Sequence, residues 1–157
     1  MANYFTHFSC LLPVGSATNM QTALALYQDQ VNERAKADEI VGFAAEPSNP
    51  TVNANESAVW LYSEENGEPE DVIAYVLRCA EALNLTAIWG FRWCLSCSRP
   101  RLDGYGGGAQ ILDLGSRKTL DWIDLDNWLN EQADAYQLAR QGATTATNAV
   151  TGSGLAS

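Results

Sequence analysis

Two stretches of this chain repeat apolar residues at helical spacing, and each lies between short runs rich in aromatic and β-branched residues. Met20, Ala23, Leu24, Tyr27 and Val31 fall at i, i+3, i+4, i+7 and i+11. Val72, Tyr75, Val76, Cys79 and Leu83 repeat that pattern. Each helix therefore has an apolar stripe that must be packed against something. Ser16 supplies an N-cap for the first helix, which is predicted to end near Ala37. Pro69 suits the first turn of the second, Glu68, Glu70 and Asp71 complement the positive end of its dipole, and Asn84 can close it.

Around the helices the sequence predicts strands at Tyr4–Val14, Ile40–Ala45, Ala58–Ser63 and Ala87–Leu95. In the last of these, Trp89, Phe91 and Trp93 share one side of the pleat, with Ile88, Gly90, Arg92 and Cys94 on the other. Glu46–Ser57 and Ser96–Gly107 read as loops. Gly108–Leu114 and Thr119–Ile123 form a hairpin around Gly115–Lys118. Asp124 or Asp126 then caps a third helix with Leu125, Trp128, Leu129, Ala133 and Tyr136 on its apolar side. This order predicts an α+β fold: a ferredoxin-like split βαβ sandwich (βαββαβ) extended by a C-terminal β-hairpin and helix. The first and fourth strands are neighbours in that topology, and two helices cover one face of the sheet. A single domain over residues 1–141 is expected, with the small, uncharged tail 142–157 disordered.

Nineteen acidic residues against nine basic ones give a formal charge of -10. That charge repels phosphate backbones and anionic lipid, so neither nucleic acid nor membrane is an expected direct partner, and a basic protein surface is favoured. The opening MANYFTHFSC lacks the basic region and apolar core of a secretion signal, and no apolar run reaches membrane-spanning length. A cytoplasmic protein is expected. Its candidate acidic binding surface is Glu64, Glu65, Glu68, Glu70 and Asp71 with Asp121, Asp124 and Asp126, residues whose ordinary role is to solvate helix starts.

The stretch from Ala87 to Ala109 concentrates the residues that could carry chemistry. Trp93-Cys94-x-x-Cys97 is similar to the motif of thioredoxin-like oxidoreductases, whose first cysteine is activated at a helix N-terminus. Here Ser98–Gly104 cannot readily start that helix, so inert thiols are expected. His7-x-x-Cys10 with Cys94-x-x-Cys97 could supply four zinc ligands, but residues i and i+3 of a strand point to opposite faces, and no metal or other cofactor is expected. Gly106, Gly107 and Gly108 with Arg92, Arg99 and Arg101 form a candidate small-anion site. Their ordinary reading is a tight turn feeding the hairpin, the arginines neutralised by Asp103 and Asp113. The single histidine, His7, has no Ser-His-Asp or Cys-His set in local reach. Trp60, Tyr62, Trp89, Phe91 and Trp93 could stack RNA bases as RRM modules do, but the RNP1 motif and a basic field are missing, and a core role is expected.

FSCLLPVGSA, VWLYSEENGEPEDV, WGFRWCLSCSRPRLDGYGGGA and LDWIDLDNWL, spread over Tyr4–Trp128, look like small acidic proteins encoded on bacterial plasmids, phages and integrated elements. The resemblance implies an accessory protein that binds, and sometimes blocks, a host complex. Without a catalytic set, the sequence points to a non-enzymatic acidic module occupying a basic site on a nucleic-acid-handling or defence complex, in the manner of an anti-restriction or anti-CRISPR inhibitor. The alternative is a small-anion-binding protein or enzyme at the arginine and glycine loop. A homodimer is compatible with either.

Overall fold

A computed structural model describes residues 1–48 and 57–154, with side chains as far as residue 143. Its elements run β1 (Tyr4–Pro13), α1 (Ala17–Ala35), β2 (Ala44–Pro47), β3 (Ala58–Ser63), α2 (Pro69–Leu83), β4 (Ile88–Cys97), β5 (Gly106–Asp113), β6 (Lys118–Asp124) and α3 (Leu125–Gly154). The chain divides into two compact units, Met1–Ile123 and Asp124–Ser157, where the sequence predicts one domain over 1–141.

In the first unit, six strands form one sheet in the order β2-β3-β1-β4-β5-β6. The β2–β3, β3–β1, β1–β4 and β4–β5 pairings are all antiparallel, so the first and fourth strands are neighbours as expected. Ser16 starts α1 by accepting the Asn19 N–H at 3.1 Å. Asn84 ends α2 in the left-handed region at φ 54, a conformation asparagine tolerates better than most residues.

The two helices bury their apolar stripes against one face of the sheet. Val72, Tyr75, Val76 and Cys79 of α2 meet Phe8, Leu12, Val59, Leu61, Trp89 and Phe91 in a single core. Burial of each large side chain contributes about 1.5–3 kcal/mol. Tyr75 and Tyr27 each carry a hydroxyl into this region and satisfy it on backbone, Tyr75 at Ala23 O and Tyr27 at Phe43 O, both at 2.7 Å. Their rings and that of Phe43 lie 5.2–6.0 Å apart, tilted or edge-on.

The second strand starts later than the sequence predicts. Ile40 is exposed, Val41 and Phe43 are buried in irregular chain, and pairing begins at Ala44. The reason is the start of α2, which takes the backbone a strand would need. Gly42 O accepts the Glu68 N–H at 2.8 Å, and the Gly42 N–H donates to Asp71 Oδ2 at 3.0 Å. Of the expected loop Glu46–Ser57, Glu46 and Pro47 lie in β2, and residues 49–56 fall outside the described residues. The fourth strand is longer than predicted, reaching Cys97, and the loop after it shrinks to residues 98–105.

Asp71, assigned from sequence to an acidic surface, is instead buried, with 7% of its area exposed. Its carboxylate accepts from the Gly42 N–H and from the Arg34 guanidinium, which also bridges Glu39 at 3.0 Å. One side chain thereby ties the start of α2 to the end of α1 and to the chain before β2.

In the second unit, Asp124 Oδ1 accepts the Asn127 N–H at 3.0 Å, so Asp124 rather than Asp126 caps α3. The helix continues past Gly142, where the sequence predicts a disordered tail, to Gly154. The stretch 142–154 holds no proline, but three glycines and four threonines give it low helix propensity, so local sequence does not account for the extension. Residues 155–157 of the expected tail lie outside the described residues. Among the described residues no helix is long and apolar enough to cross a membrane.

Substituting Asp71→Ala removes the acceptor of both Arg34 and Gly42. Because Arg34 keeps part of its hydration, the expected loss in urea-unfolding free energy is about 2–3 kcal/mol, below that of a fully buried pair. A loss under about 0.5 kcal/mol, the ordinary range for surface changes, would show that this carboxylate does not hold the helices.

Candidate functional site

The alternation that buries Phe8, Leu12, Val59, Leu61, Trp89 and Phe91 sends their strand neighbours to the face opposite α1 and α2. His7, Ser9 and Leu11 of β1, Trp60 and Tyr62 of β3, and Ile88, Arg92, Cys94 and Ser96 of β4 share that face. On β5, Ile111 faces the same way, opposite Gly90. Gln110 donates to Thr119 Oγ1 at 2.8 Å, which sets Thr119 on the helix side and leaves Leu120 and Trp122 of β6 with Ile111. The five aromatic residues grouped from sequence are thus divided between faces. Trp89 and Phe91 are core, Trp93 is half-buried on their side, and Trp60 and Tyr62 stack at 4.0 Å on the other. Trp60 Nε1 donates to Ser9 Oγ at 2.8 Å, and the Tyr62 hydroxyl donates to Glu46 Oε1 at 2.8 Å, a bond that raises its pKa.

A concavity forms where β1 parts from β4. Their ladder runs from Tyr4 opposite Cys97 to His7 opposite Cys94 and stops, while Phe8–Pro13 pair with β3. Thr6 spends both backbone groups on the β3 side, at Glu65 O and the Gly67 N–H. By alternation, Ser9 and Leu11 turn theirs toward β4. The Leu11 carbonyl accepts the Trp89 indole N–H at 2.9 Å in place of a strand partner. Ser9 and Arg92 have no ladder bond across this seam. Over it lies a space of about 520 Å³ lined by His7, Phe8, Ser9, Ser63, Glu64, Arg92, Trp93 and Cys94.

His7 Nε2 lies 2.8 Å from Ser96 Oγ. Arg92 and Glu64 are exposed, and among the described residues neither belongs to an ion pair. The exposed Cys94 thiol stands opposite His7 in the β1–β4 ladder, on the same face of the sheet, and its hydrogen bond goes to Leu95 O at 3.8 Å. Cys94 and Cys97 stand three strand residues apart, about 10 Å, which exceeds the roughly 7 Å Cα limit for a disulfide. No helix follows to activate either. Cys97 is buried on the face opposite Cys94, and burial pushes the Cys10 thiol up to about 12 and that of Cys79 up to about 11. Among the described residues no three His, Cys, Asp or Glu side chains are grouped to hold a metal ion.

The arginine and glycine site expected from sequence is not assembled. Gly106, Gly107 and Gly108 belong to β5, opposite Leu95, Cys94 and Trp93. A Cβ on Gly108 would meet the Trp93 ring at 2.4 Å, and one on Gly107, at φ 146, would meet Trp93 O at 2.4 Å. These glycines admit Trp93 and its strand, not an anion. Arg99 and Arg101 lie in the loop beyond Cys97, while Arg92 is on β4 five residues before that cysteine. Arg101 donates to the Tyr4 hydroxyl at 3.4 Å, which in turn donates to Asp103 at 3.2 Å. Asp113 instead accepts from Ser116 and the Gly115 N–H in the β5–β6 turn, bonds that lower its pKa.

The first acidic run, without Asp71, is held in place by backbone. Glu65 O accepts the Thr6 N–H at 2.6 Å, the Gly67 N–H donates to Thr6 O at 3.0 Å, and the Glu68 N–H reaches Gly42 O. Glu64, Glu65, Glu68 and Glu70 are exposed, and among the described residues none is ion-paired. Asp121 is exposed on β6, while Asp124 and Asp126 belong to the second unit. The opened seam was missed by sequence reasoning. Its only local signal is Trp89, a buried indole that requires an acceptor.

Two measurements check this description. In native protein at neutral pH, one thiol should react rapidly with an aromatic disulfide reagent and all four in denaturant; two or more fast native thiols would contradict the half-burial of Cys10 and the burial of Cys79 and Cys97. Gly107→Ala should cost about 2 kcal/mol or more of stability, from its strained φ and the clash with Trp93 O, whereas a neutral effect would return the glycines to a ligand role. No family model matches this chain, and neither a curated protein nor a solved structure is similar to it.

Proposed function

We propose that this chain is a non-enzymatic protein-binding module whose acidic turn between β3 and α2 occupies a basic site on a larger protein. The observation that carries this reading is the set of four exposed carboxylates, Glu64, Glu65, Glu68 and Glu70, unpaired among the described residues, around a turn whose main chain is bonded to Thr6 and Gly42. A turn whose main chain is already anchored loses less backbone entropy on docking, and a net charge of -10 accelerates encounter with a cationic surface. The resemblance to mobile-element accessory proteins makes a cytoplasmic nucleic-acid-handling or defence complex the target, with inhibition of restriction or CRISPR machinery as the outcome. We read the strand order β2-β3-β1-β4, with α1 and α2 on one face, as a ferredoxin-like split βαβ sandwich to which β5, β6 and α3 are added.

The test is affinity capture from a bacterial lysate with the full chain and with its Glu65→Lys/Glu68→Lys/Glu70→Lys variant, followed by titration of whatever basic protein is retained. Reversal of three charges should weaken binding by at least about tenfold, and raising salt from roughly 0.05 to 0.5 M should weaken the wild-type complex in parallel. Capture that survives both changes, or that brings no basic protein, removes the proposal.

A further inference from the structure

The sheet face opposite α1 and α2 carries Leu11, Trp60, Ile88, Ile111 and Trp122, with Ile88 62% and Trp122 60% exposed. Apolar surface of this extent marks a contact region. Six strands about 4.8 Å apart and four to ten residues long, averaging between seven and eight at about 3.3 Å each, span roughly 24 by 25 Å in projection. Side-chain relief brings that face close to the ~800 Å² that each partner contributes to a stable interface.

Charge selects the occupant. On this face the concavity over the β1–β4 seam holds one cation, Arg92, on β4, and one anion, Glu64, at the end of β3. Both line the same space, and neither is ion-paired among the described residues. Covering either without a counter-charge is unfavourable. A two-fold axis through the concavity answers both at once, because an isologous interface sets each residue of one copy against its complement in the other. We propose that two copies of this chain pair through this face, Arg92 of each copy against Glu64 of the other, with Trp60 and Leu11 packed beside the charged pairs. Glu64 is shared with the acidic docking described above, but Glu65, Glu68 and Glu70 are not needed for this contact, so their reversal to lysine weakens the docking and leaves the dimer intact.

Sedimentation equilibrium of the full chain tests it. The wild type should show a concentration-dependent dimer between roughly 1 and 100 μM. Arg92→Glu and Glu64→Arg should each raise the dimer dissociation constant by about tenfold or more, and the double variant R92E/E64R should return to within about threefold of wild type, since the swap rebuilds each pair. A wild type that stays monomeric overturns the proposal, including the case in which another protein fills the face. Single variants that do not weaken the dimer, or a double variant that fails to recover, overturn the reciprocal pairing. Both side chains are exposed, so circular dichroism should find all variants folded.

Discussion

A central strand cannot use the same backbone groups on two neighbours, and β1 divides its own unevenly. Its first residues, Tyr4–His7, are laddered to β4, while Phe8–Pro13 are laddered to β3. Where the ladder to β4 ends, Trp89 inserts its indole N–H at Leu11 O, so the carbonyl remains satisfied although the strands have parted. The seam, the concavity over it and the placement of Ser9, Arg92 and Glu64 around it all follow from that substitution of a side chain for a strand. The turn after β3 completes the arrangement by giving Thr6 its partners at Glu65 and Gly67. Without them the lower half of β1 would have an unpaired edge.

The rest of the fold is held by side chains that join elements distant in sequence. Asp71 connects α2 to Arg34 of α1 and to Gly42, and Tyr75 and Tyr27 carry hydroxyls to carbonyls on other elements. Gly108 and Trp93 show the same economy in the sheet: one residue gives up its side chain so that a ring can lie flat over β5. Each of these pairings is stabilising only when both partners are present, which makes the first unit cooperative.

Carboxylates project from a backbone-anchored turn, and the open sheet face mixes aromatic and aliphatic side chains with Arg92, Glu46 and the polar residues around the seam. The thiols are divided between the two faces of the sheet, and the lone histidine is bonded to Ser96. His7 and Cys94 face each other across the β1–β4 ladder, whereas Cys79 and Cys97 are buried.

Both amphipathic helices, the Ser16 cap, the Pro69 start, the Asn84 stop and the alternation in β4 were legible in the sequence, because each depends on interactions within about four residues of the chain. Neighbourhood of the first and fourth strands followed from their order. Other features depended on partners far away in sequence, so no local pattern could specify them. Asp71 reads as a solvent-facing helix-start acid until Arg34 and Gly42 are brought to it. Gly106 and Gly107 read as a loop until pairing with Leu95 and Cys94 places them in β5, and Trp60 and Trp89 read as one aromatic group until strand pairing assigns them to opposite faces. Helical periodicity, capping and charge were set by sequence alone; burial of a carboxylate, the course of the seam and the membership of each face were decided only when the sheet closed around β1, because hydrogen-bond partners are chosen in space.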